Sequence, residues 1–528
     1  MKKQIYLYII AIVLFFNNTI VYSQETQQPY FIIDCLLGNF YDEAAELLGK
    51  EYGNYVTGEV PVFSDLETNT YIRNILIDKI KQNKSRYLVF ITPPETIDEA
   101  IHTQMLKWLT QLDDDPFLDV SFGYITGIGT DDVLKYAKNV LKFKKESKKK
   151  KNLNKKFVYL YQNPEEYRDI FGRELQKFYE NRKWNYQLIE LKFDLMEYEK
   201  NRFSSLSKNS QIYKIFKDSR LIFLDLHGME FQIGRPEIGL LLPFNLRGLN
   251  FYPSIILSLS CYFGSIHKTY FYPKSRGNII VKEQPLEYSP ALQFLRGGAL
   301  GIIGHMEMAG VNNCFLVPVL YALYFLNMSL GDAMGYAYNL HIADYLAHDK
   351  DLLWGENFEE TNILPWKFAT SYRRMVGSYI LYGDPTLVPF PEKVPGIIEI
   401  KTENNNKNSL KVTIKALEDI VYFTNKKKDE KGEEIHEDGW GTAFGSTTER
   451  RVYSVIKLPK DFKVKEVKIE SYGGNIELPT VKWVQEENDI EGENSLHIFV
   501  IVSPTKFNEM PFTLKKDSFV NLVVVKES

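Results

Sequence analysis

Short apolar runs alternate with stretches of helical spacing over the first 300 or so residues of this chain, and no other feature restricts its fold so strongly. The runs are Tyr30–Asp34, Tyr87–Thr92, Val120–Ile125, Phe157–Tyr161, Leu188–Phe193, Leu221–Leu226, Ile255–Ser260 and Ala299–Ile303. Between them lie amphipathic stretches such as Asp131–Leu141, with Val133, Tyr136, Ala137 and Val140 on one helical face, and Glu165–Asn181. Strands that are apolar on both faces need cover on both, and intervening helices supply it, so the pattern predicts largely parallel sheets layered with helices.

The style changes beyond Pro389, Pro391 and Pro395. Alternating segments at Leu410-Val412-Ile414, Val464–Ile469, His497–Val502 and Phe519–Val525 are separated by turn-rich spacers, which predicts an antiparallel β-sandwich. A lysine run, Lys142, Lys144, Lys145, Lys148 to Lys151, Lys155 and Lys156, is too charged to bury and is expected as an exposed connector. At the start, Lys2 and Lys3 precede an apolar run from Tyr8 to Phe16 and then Val21-Tyr22-Ser23, which predicts a signal peptide over residues 1–23. The expected divisions are an α/β unit over 24–145, a linker over 146–156, a second α/β unit over 157–392 and the sandwich over 393–528.

At 528 residues with 44% hydrophobic and 25% charged residues, the chain has ample material for several cores. A formal net charge of −4 supplies no electropositive surface, so nucleic acid is not an expected partner. Three cysteines, Cys35, Cys261 and Cys314, leave at least one thiol unpaired within a chain of exported type.

Two of the apolar runs end abruptly in a reactive side chain. Leu221 to Leu226 leads into His227-Gly228, and Ile255 to Ser260 leads into Cys261. The carboxyl ends of neighbouring parallel strands open onto one crevice, so an imidazole and a thiol at two such ends can converge on a substrate. A thiol near its ordinary pKa of about 8.5 is mostly protonated at neutral pH, and a histidine beside it accepts that proton or stabilises the thiolate. Gly228 lacks a Cβ, so its N–H can approach a bound carbonyl and form an oxyanion hole with the N–H of Cys261. Strand alternation puts Asp225 on the side of His227 and Leu259 on the side of Cys261, so both are expected to face the same crevice. Gly127-Ile128-Gly129-Thr130 lacks the third glycine of a dinucleotide fingerprint and reads as a turn starting a helix. His305 with Glu307, and His341 with His348, lack a third ligand, so neither a metal nor a cofactor is expected.

With His227-Gly228 and Cys261 on successive strand ends, 34 residues apart, the sequence resembles the gingipain family of cysteine peptidases in the caspase-like clan. Gly297 to Gly304 is similar to that family's glycine-bracketed strand after the cysteine. Leu330-Gly331-Asp332-Ala333 resembles the start of its next helix, and Tyr379 to Leu387 the segment closing its catalytic domain. Asp113 to Val120, leading into Gly123 to Gly127, looks like its first α/β subdomain. A long propeptide before the first strand and a sorting domain after the sandwich are not expected. The resemblance implies a caspase-like, gingipain-like parallel-sheet catalytic region of two subdomains with a C-terminal immunoglobulin-like β-sandwich. It also implies an acid upstream that orients His227, for which Glu165 and Glu166 are the candidates, with Asp34 and Asn39 on weaker grounds. It further implies that Asp225 and Leu259, each two residues before its reactive residue, wall the pocket for the side chain preceding the cut, where the Asp225 carboxylate would favour a basic side chain.

The expected function is that of an exported cysteine endopeptidase, secreted, periplasmic or at the cell surface, acting on a protein or peptide substrate through a Cys261 thioester with His227 as base and acid. No stable membrane insertion is expected once the signal is removed. A catalytically inactive binding protein of the same fold and a sortase-like transpeptidase are the alternatives.

Overall fold

The computed structural model describes residues 29–34, 41–52, 56–60, 66–149, 155–162, 173, 175–177, 179–191, 211–229, 232–235, 239–241, 243–271, 280–307, 315–348, 377–392, 394–422, 425–428, 434–437, 439–441, 445–447, 450–487, 493–503 and 512–527. The expected signal segment, Cys35, Asn39, Cys314, Glu165 and Glu166 lie outside the described residues.

Ten strands of the α/β region share one sheet. In chain order they are β1 (Pro29–Asp34), β2 (Val56–Val60), β3 (Tyr87–Ile91), β4 (Ser121–Ile125), β5 (Lys156–Tyr161), β6 (Asn185–Glu190), β7 (Leu221–Asp225), β8 (Ile255–Ser258), β9 (Gly301–His305) and β10 (Tyr379–Gly383). Their spatial order is β2-β1-β3-β4-β10-β9-β8-β7-β5-β6. Every neighbouring pair is parallel except β9 and β10. The sheet therefore has two halves of five strands running in opposite directions and meeting at one antiparallel seam; β1 to β4 make up four strands of the first half, and its fifth, β10, comes from the far end of the 157–392 segment. Strands β4, β5, β7, β8, β9 and β10 are buried along their whole length, which explains the apolar runs at their centres.

Helices α1 (Asp42–Tyr52), α2 (Leu66–Asn83), α3 (Glu99–Leu109), α4 (Thr130–Lys148), α5 (Gln211–Phe216), α6 (Pro290–Arg296), α7 (Leu316–Tyr324) and α8 (Leu330–His348) provide the cover. Gly129 caps α4, so the glycine-rich turn before it does start a helix. The helix runs well into the lysine run expected as a connector. Val133, Tyr136, Ala137, Val140 and Phe143 keep its inner face buried, while the lysine stems lie along its flanks. Lys144 Nζ sits 3.5 Å from the centre of the Tyr52 ring, and Lys142 Nζ 4.2 Å from that of Tyr252. Their charges are accommodated on aromatic faces instead of in an open linker.

The C-terminal region contains a four-stranded and a three-stranded antiparallel sheet. The first is built from β11 (Ile398–Asn406), β12 (Ser409–Ala416), β14 (Val464–Gly473) and β17 (Phe519–Lys526) in the order β11-β12-β17-β14. The second is built from β13 (Arg450–Pro459), β15 (Thr480–Glu486) and β16 (Glu493–Ser503) in the order β13-β16-β15. Val412, Leu522 and Val524 of the first share a core with Leu496, Ile498 and Val500 of the second. Leu340, Ile342 and Ala343 of α8 belong to the same core, so α8 wedges between the sandwich and the large sheet. Arg220, 1% exposed, fastens the end of the α/β region by pairing with both carboxylate oxygens of Glu392 at 2.9 Å. No helix among the described residues is long and apolar enough to cross a membrane.

Helix α3 delivers a histidine to the seam. His102 Nε2–H donates to the Tyr379 carbonyl at 2.8 Å, and its Nδ1 faces the Tyr124 hydroxyl at 3.4 Å. Burial lowers its pKa to about 4, the Tyr379 hydrogen bond opposing only in part. A base with a depressed folded pKa stabilises the fold above its unfolded pKa, and that contribution is lost as the pH falls through the interval between the two values. Between pH 7.5 and pH 4, denaturant titration is expected to show a loss on the order of 3 kcal/mol from this group. His102→Gln, which keeps a donor for Tyr379, is expected to show a smaller loss.

Candidate active site

The register of β7 and β8 decides which residues meet. Leu224 pairs with Ser258, and the Leu259 N–H donates to the Leu224 carbonyl at 2.9 Å. His227 lies three residues beyond Leu224, and Cys261 three residues beyond Ser258. Both strands therefore reach their reactive residue at the same level of the sheet edge. Beyond the paired segment the two chains remain in contact. A Cβ built on Gly228 would lie 2.3 Å from the Cys261 carbonyl oxygen and 3.0 Å from the Cys261 nitrogen. Glycine at 228 is thus what allows the backbone after His227 to rest on the backbone of the cysteine.

The cysteine stands at a sharp turn. Tyr262, next in sequence, has φ of 57°, a left-handed conformation costly for a side chain of this size. Its N–H donates to the Glu307 carbonyl at 2.7 Å, the Gly264 N–H donates to the His305 carbonyl at 2.8 Å, and Ser265 Oγ donates to the Met306 carbonyl at 2.6 Å. The Tyr382 hydroxyl of β10 donates to the Gly264 carbonyl at 2.6 Å. These bonds tie the turn to the end of β9 and to the seam strand. Cys261 is left partly exposed at the strand end, while Ser258 and Ser260 are buried.

Strand β5 contributes a residue that the sequence reading did not single out. Gln162, fully buried, follows β5 directly; its side-chain oxygen accepts the His227 N–H at 3.3 Å, and its own N–H donates to the Asp225 carbonyl at 3.3 Å. The β5–β7 register puts it level with Leu226, one residue before His227, and the same pattern of an apolar run ending in a polar side chain marks it in the sequence. Asp225 is 5% exposed, and its Oδ2 accepts the Tyr159 hydroxyl at 2.6 Å. The Tyr159 ring is stacked on Phe223, which lies two residues before Asp225 and so on the same face. Leu259 is nearly buried at 8%. His305 packs edge-on against Tyr379 in the core, its Nδ1 accepting the Glu307 N–H at 3.2 Å.

The seam separates the sheet's carboxyl ends into two groups. His227, Cys261, Gln162 and the end of β9 share one edge, whereas the carboxyl ends of β1, β3, β4 and β10 lie on the other. Asp34 ends β1 and so falls on the edge away from His227, which removes it as an orienting acid.

No protein-family model and no curated protein matches this chain. Solved structures with a similar chain path include one described only as a protease, with 10% identity and a TM-score of 0.45, covering 93% of this chain and 97% of that one. The arginine-specific cysteine proteinase gingipain R has 11% identity and a TM-score of 0.44, with 80% of this chain and 93% of that chain covered. The complex of Porphyromonas gingivalis RgpB pro- and mature domains has 10% identity and a TM-score of 0.45, with 79% and 92% covered.

The contact at Gly228 is directly testable. Gly228→Ala is expected to cost about 1–3 kcal/mol in urea denaturation and to change the alkylation rate of Cys261, because its methyl group meets fixed backbone. Gly129→Ala, whose methyl group would meet nothing within 4 Å, is expected to leave the alkylation rate unchanged.

Proposed function

We propose that the protein is a cysteine peptidase with Cys261 as nucleophile and His227 as general base and acid. The observation that carries this reading is the equal offset of His227 and Cys261 from the paired residues Leu224 and Ser258, with Gly228 resting on the Cys261 backbone. His227 accepts the thiol proton as Cys261 Sγ attacks the carbonyl carbon of the scissile amide. The N–H groups of Gly228 and Cys261 receive the developing oxyanion, each such donor being worth roughly 3 kcal/mol in the transition state. Collapse of the tetrahedral species breaks the C–N bond, and His227 returns the proton to the leaving amine. Water, deprotonated by the same imidazole, then cleaves the thioester and regenerates the thiol.

Gln162 serves this chemistry through the backbone, by fixing the peptide N–H of His227 and hence the starting direction of its side chain. Glu165 and Glu166 follow it closely in sequence and are retained here as candidate partners for the imidazole. Export to the periplasm, the cell surface or the medium belongs to this proposal on the strength of the N-terminal sequence.

A peptidyl electrophile is expected to label wild-type protein at Cys261, as located by mass spectrometry, and to fail with Cys261→Ala. His227→Ala is expected to lower peptide hydrolysis by at least about 10³-fold with the fold retained. Cys314→Ala is expected to keep full activity; comparable loss in that control would reassign the nucleophile.

Specificity is a separate matter. We propose that Asp225 and Leu259 wall the pocket for the side chain preceding the cut, and that the Asp225 carboxylate draws a basic side chain there. The Tyr159 hydroxyl donated to its Oδ2 fixes the orientation of that carboxylate. Matched peptides with Arg, Lys, Asn, Asp or Leu at that position are expected to be cleaved fastest with Arg or Lys, and Asp225→Asn is expected to flatten the ranking. An unchanged basic preference in the variant would take Asp225 out of the pocket.

A further inference from the structure

Away from the cysteine, the junction between the large sheet and the sandwich gathers acidic side chains that the proposed chemistry does not use. The loop between α3 and β4 carries Asp113, Asp115 and Asp119, and Glu486 approaches from β15 of the sandwich. Most of this polar junction is well satisfied. The Asp115 carboxylate accepts the Phe117 N–H at 2.9 Å and, across the junction, the Glu487 N–H at 2.6 Å. Glu486 Oε2 lies 2.7 Å from His497 Nε2, and His497 Nδ1 lies 2.6 Å from the Tyr453 hydroxyl. Phe117 stacks on the His497 ring at 4.7 Å, and Asn339 of α8 bonds both N–H and carbonyl of Leu118.

Asp119 is the exception. It is 7% exposed, and no donor reaches either of its carboxylate oxygens. It lines a cavity of about 110 Å³ with Asn339, Glu486 and His497. Asp113, on the same loop, is the acid whose charge and hydrogen-bonding capacity both act to raise the pKa of Asp119. Two ionised carboxylates are both acceptors and can form no bond to each other, but one proton between them converts their contact into an O–H···O bond. Among the described residues, no three His, Cys, Asp or Glu side chains are grouped to hold a metal ion, so a proton is the compensating charge that the arrangement favours.

We propose that Asp113 and Asp119 share one proton at neutral pH, and that this bond latches the aspartate loop beneath the sandwich and releases it in alkaline solution. The proton is taken from solvent as the junction closes and returned when it opens. Burial above all, then the charges of Asp113, Glu486 and Asp115, pushes Asp119 up to about 10. Asp115 is pushed up in the same direction by burial and by Asp113. The other charged groups facing this loop are Glu487 and His497 from the sandwich, Lys457 from β13, and Arg86 paired with Asp332 of α8 at 3.2 Å. An acid with a raised folded pKa stabilises the fold fully below its unfolded value near 4, and that stabilisation is lost as the pH rises through about 10.

The test uses the full chain and its Asp119→Asn variant, melted between pH 5 and pH 9.5, each with EDTA and with added calcium. Wild type is expected to lose melting temperature steadily above pH 6. Asp119→Asn, whose amide donates to Asp113 at every pH, is expected to have a shallower slope and to melt about 2 °C or more above wild type at pH 9. Parallel slopes would overturn the latch. So would a saturable stabilisation of wild type by calcium, absent from the variant and reversed by EDTA, because the compensating charge would then be a metal ion. Should the variant not fold, proton release settles the matter in wild type alone: unfolding in weak buffer at pH 8 is expected to liberate about one proton per chain. No net release would overturn the proposal.

Discussion

Strand β10 enters the middle of the large sheet against the direction of β9, and the position of every other strand follows from that pairing. Gly301 faces Gly383, and the register continues to His305 opposite Tyr379. Gly383 adopts φ of 149°, and a Cβ there would crowd the Leu300 carbonyl and the Tyr136 hydroxyl, at 3.1 and 3.0 Å. That hydroxyl donates to the Leu300 carbonyl at 2.7 Å and accepts the Asp384 N–H at 2.7 Å. One phenol on α4 thus stitches the start of β9 to the end of β10. Without this seam, two five-stranded sheets would each expose an apolar edge strand.

The reversal at the seam also decides which strand ends share an edge. Parallel strands collect their carboxyl ends on one edge, and the seam divides the ten strands so that only β5 to β9 contribute to the edge bearing Cys261. The first half of the sheet lends that edge only the amino ends of its strands. Its contribution is mechanical, through β4 against β10 and α3 against the Tyr379 carbonyl. Cys261 and His227 come from adjacent strands and need no long loop to bring them together. The same economy places Gln162, one strand further along, on the peptide of His227.

Much of this organisation was legible in the sequence, because strands buried on both faces have no polar alternation to disguise them. Leu221–Asp225 and Ile255–Ser258 read directly as apolar runs, and the sequence shows both breaking off just before His227 and Cys261. Val56–Val60 was missed, since Thr57, Gly58 and Glu59 leave no apolar run. Asn185–Glu190 was expected three residues too late, because Tyr186 and Leu188 alternate with polar neighbours on this edge strand. Tyr379–Gly383 is apolar enough to be a strand, but no local property states that it inserts between β4 and β9 in opposite senses. Lysines 142 to 148 misled for a different reason: charge density signals exposure, whereas Phe143 and Val140 hold the helix against the core. The Asp113 to Asp119 loop was noticed only as part of a resemblance, since its burial depends on the sandwich, more than 350 residues away in sequence.

The seam strand has a second role that becomes apparent only when its two faces are considered together. At Tyr382 it donates to the Gly264 carbonyl, in the turn that holds Cys261. Along its length it is packed by α8, whose Leu340, Ile342 and Ala343 reach into the sandwich core. The cysteine turn and the sandwich therefore rest on opposite sides of the same structural element. A residue such as Tyr262 can be held in a left-handed conformation only if its surroundings do not yield. Here those surroundings are the end of β9 and the hydroxyl of β10, both deep in a sheet that cannot shift without opening the seam. The sandwich, by burying α8, adds to the rigidity of that sheet from outside. The strain at residue 262 is thus borne by packing distributed across both domains, which gives a physical reason for a β-sandwich to be attached to this α/β body at all.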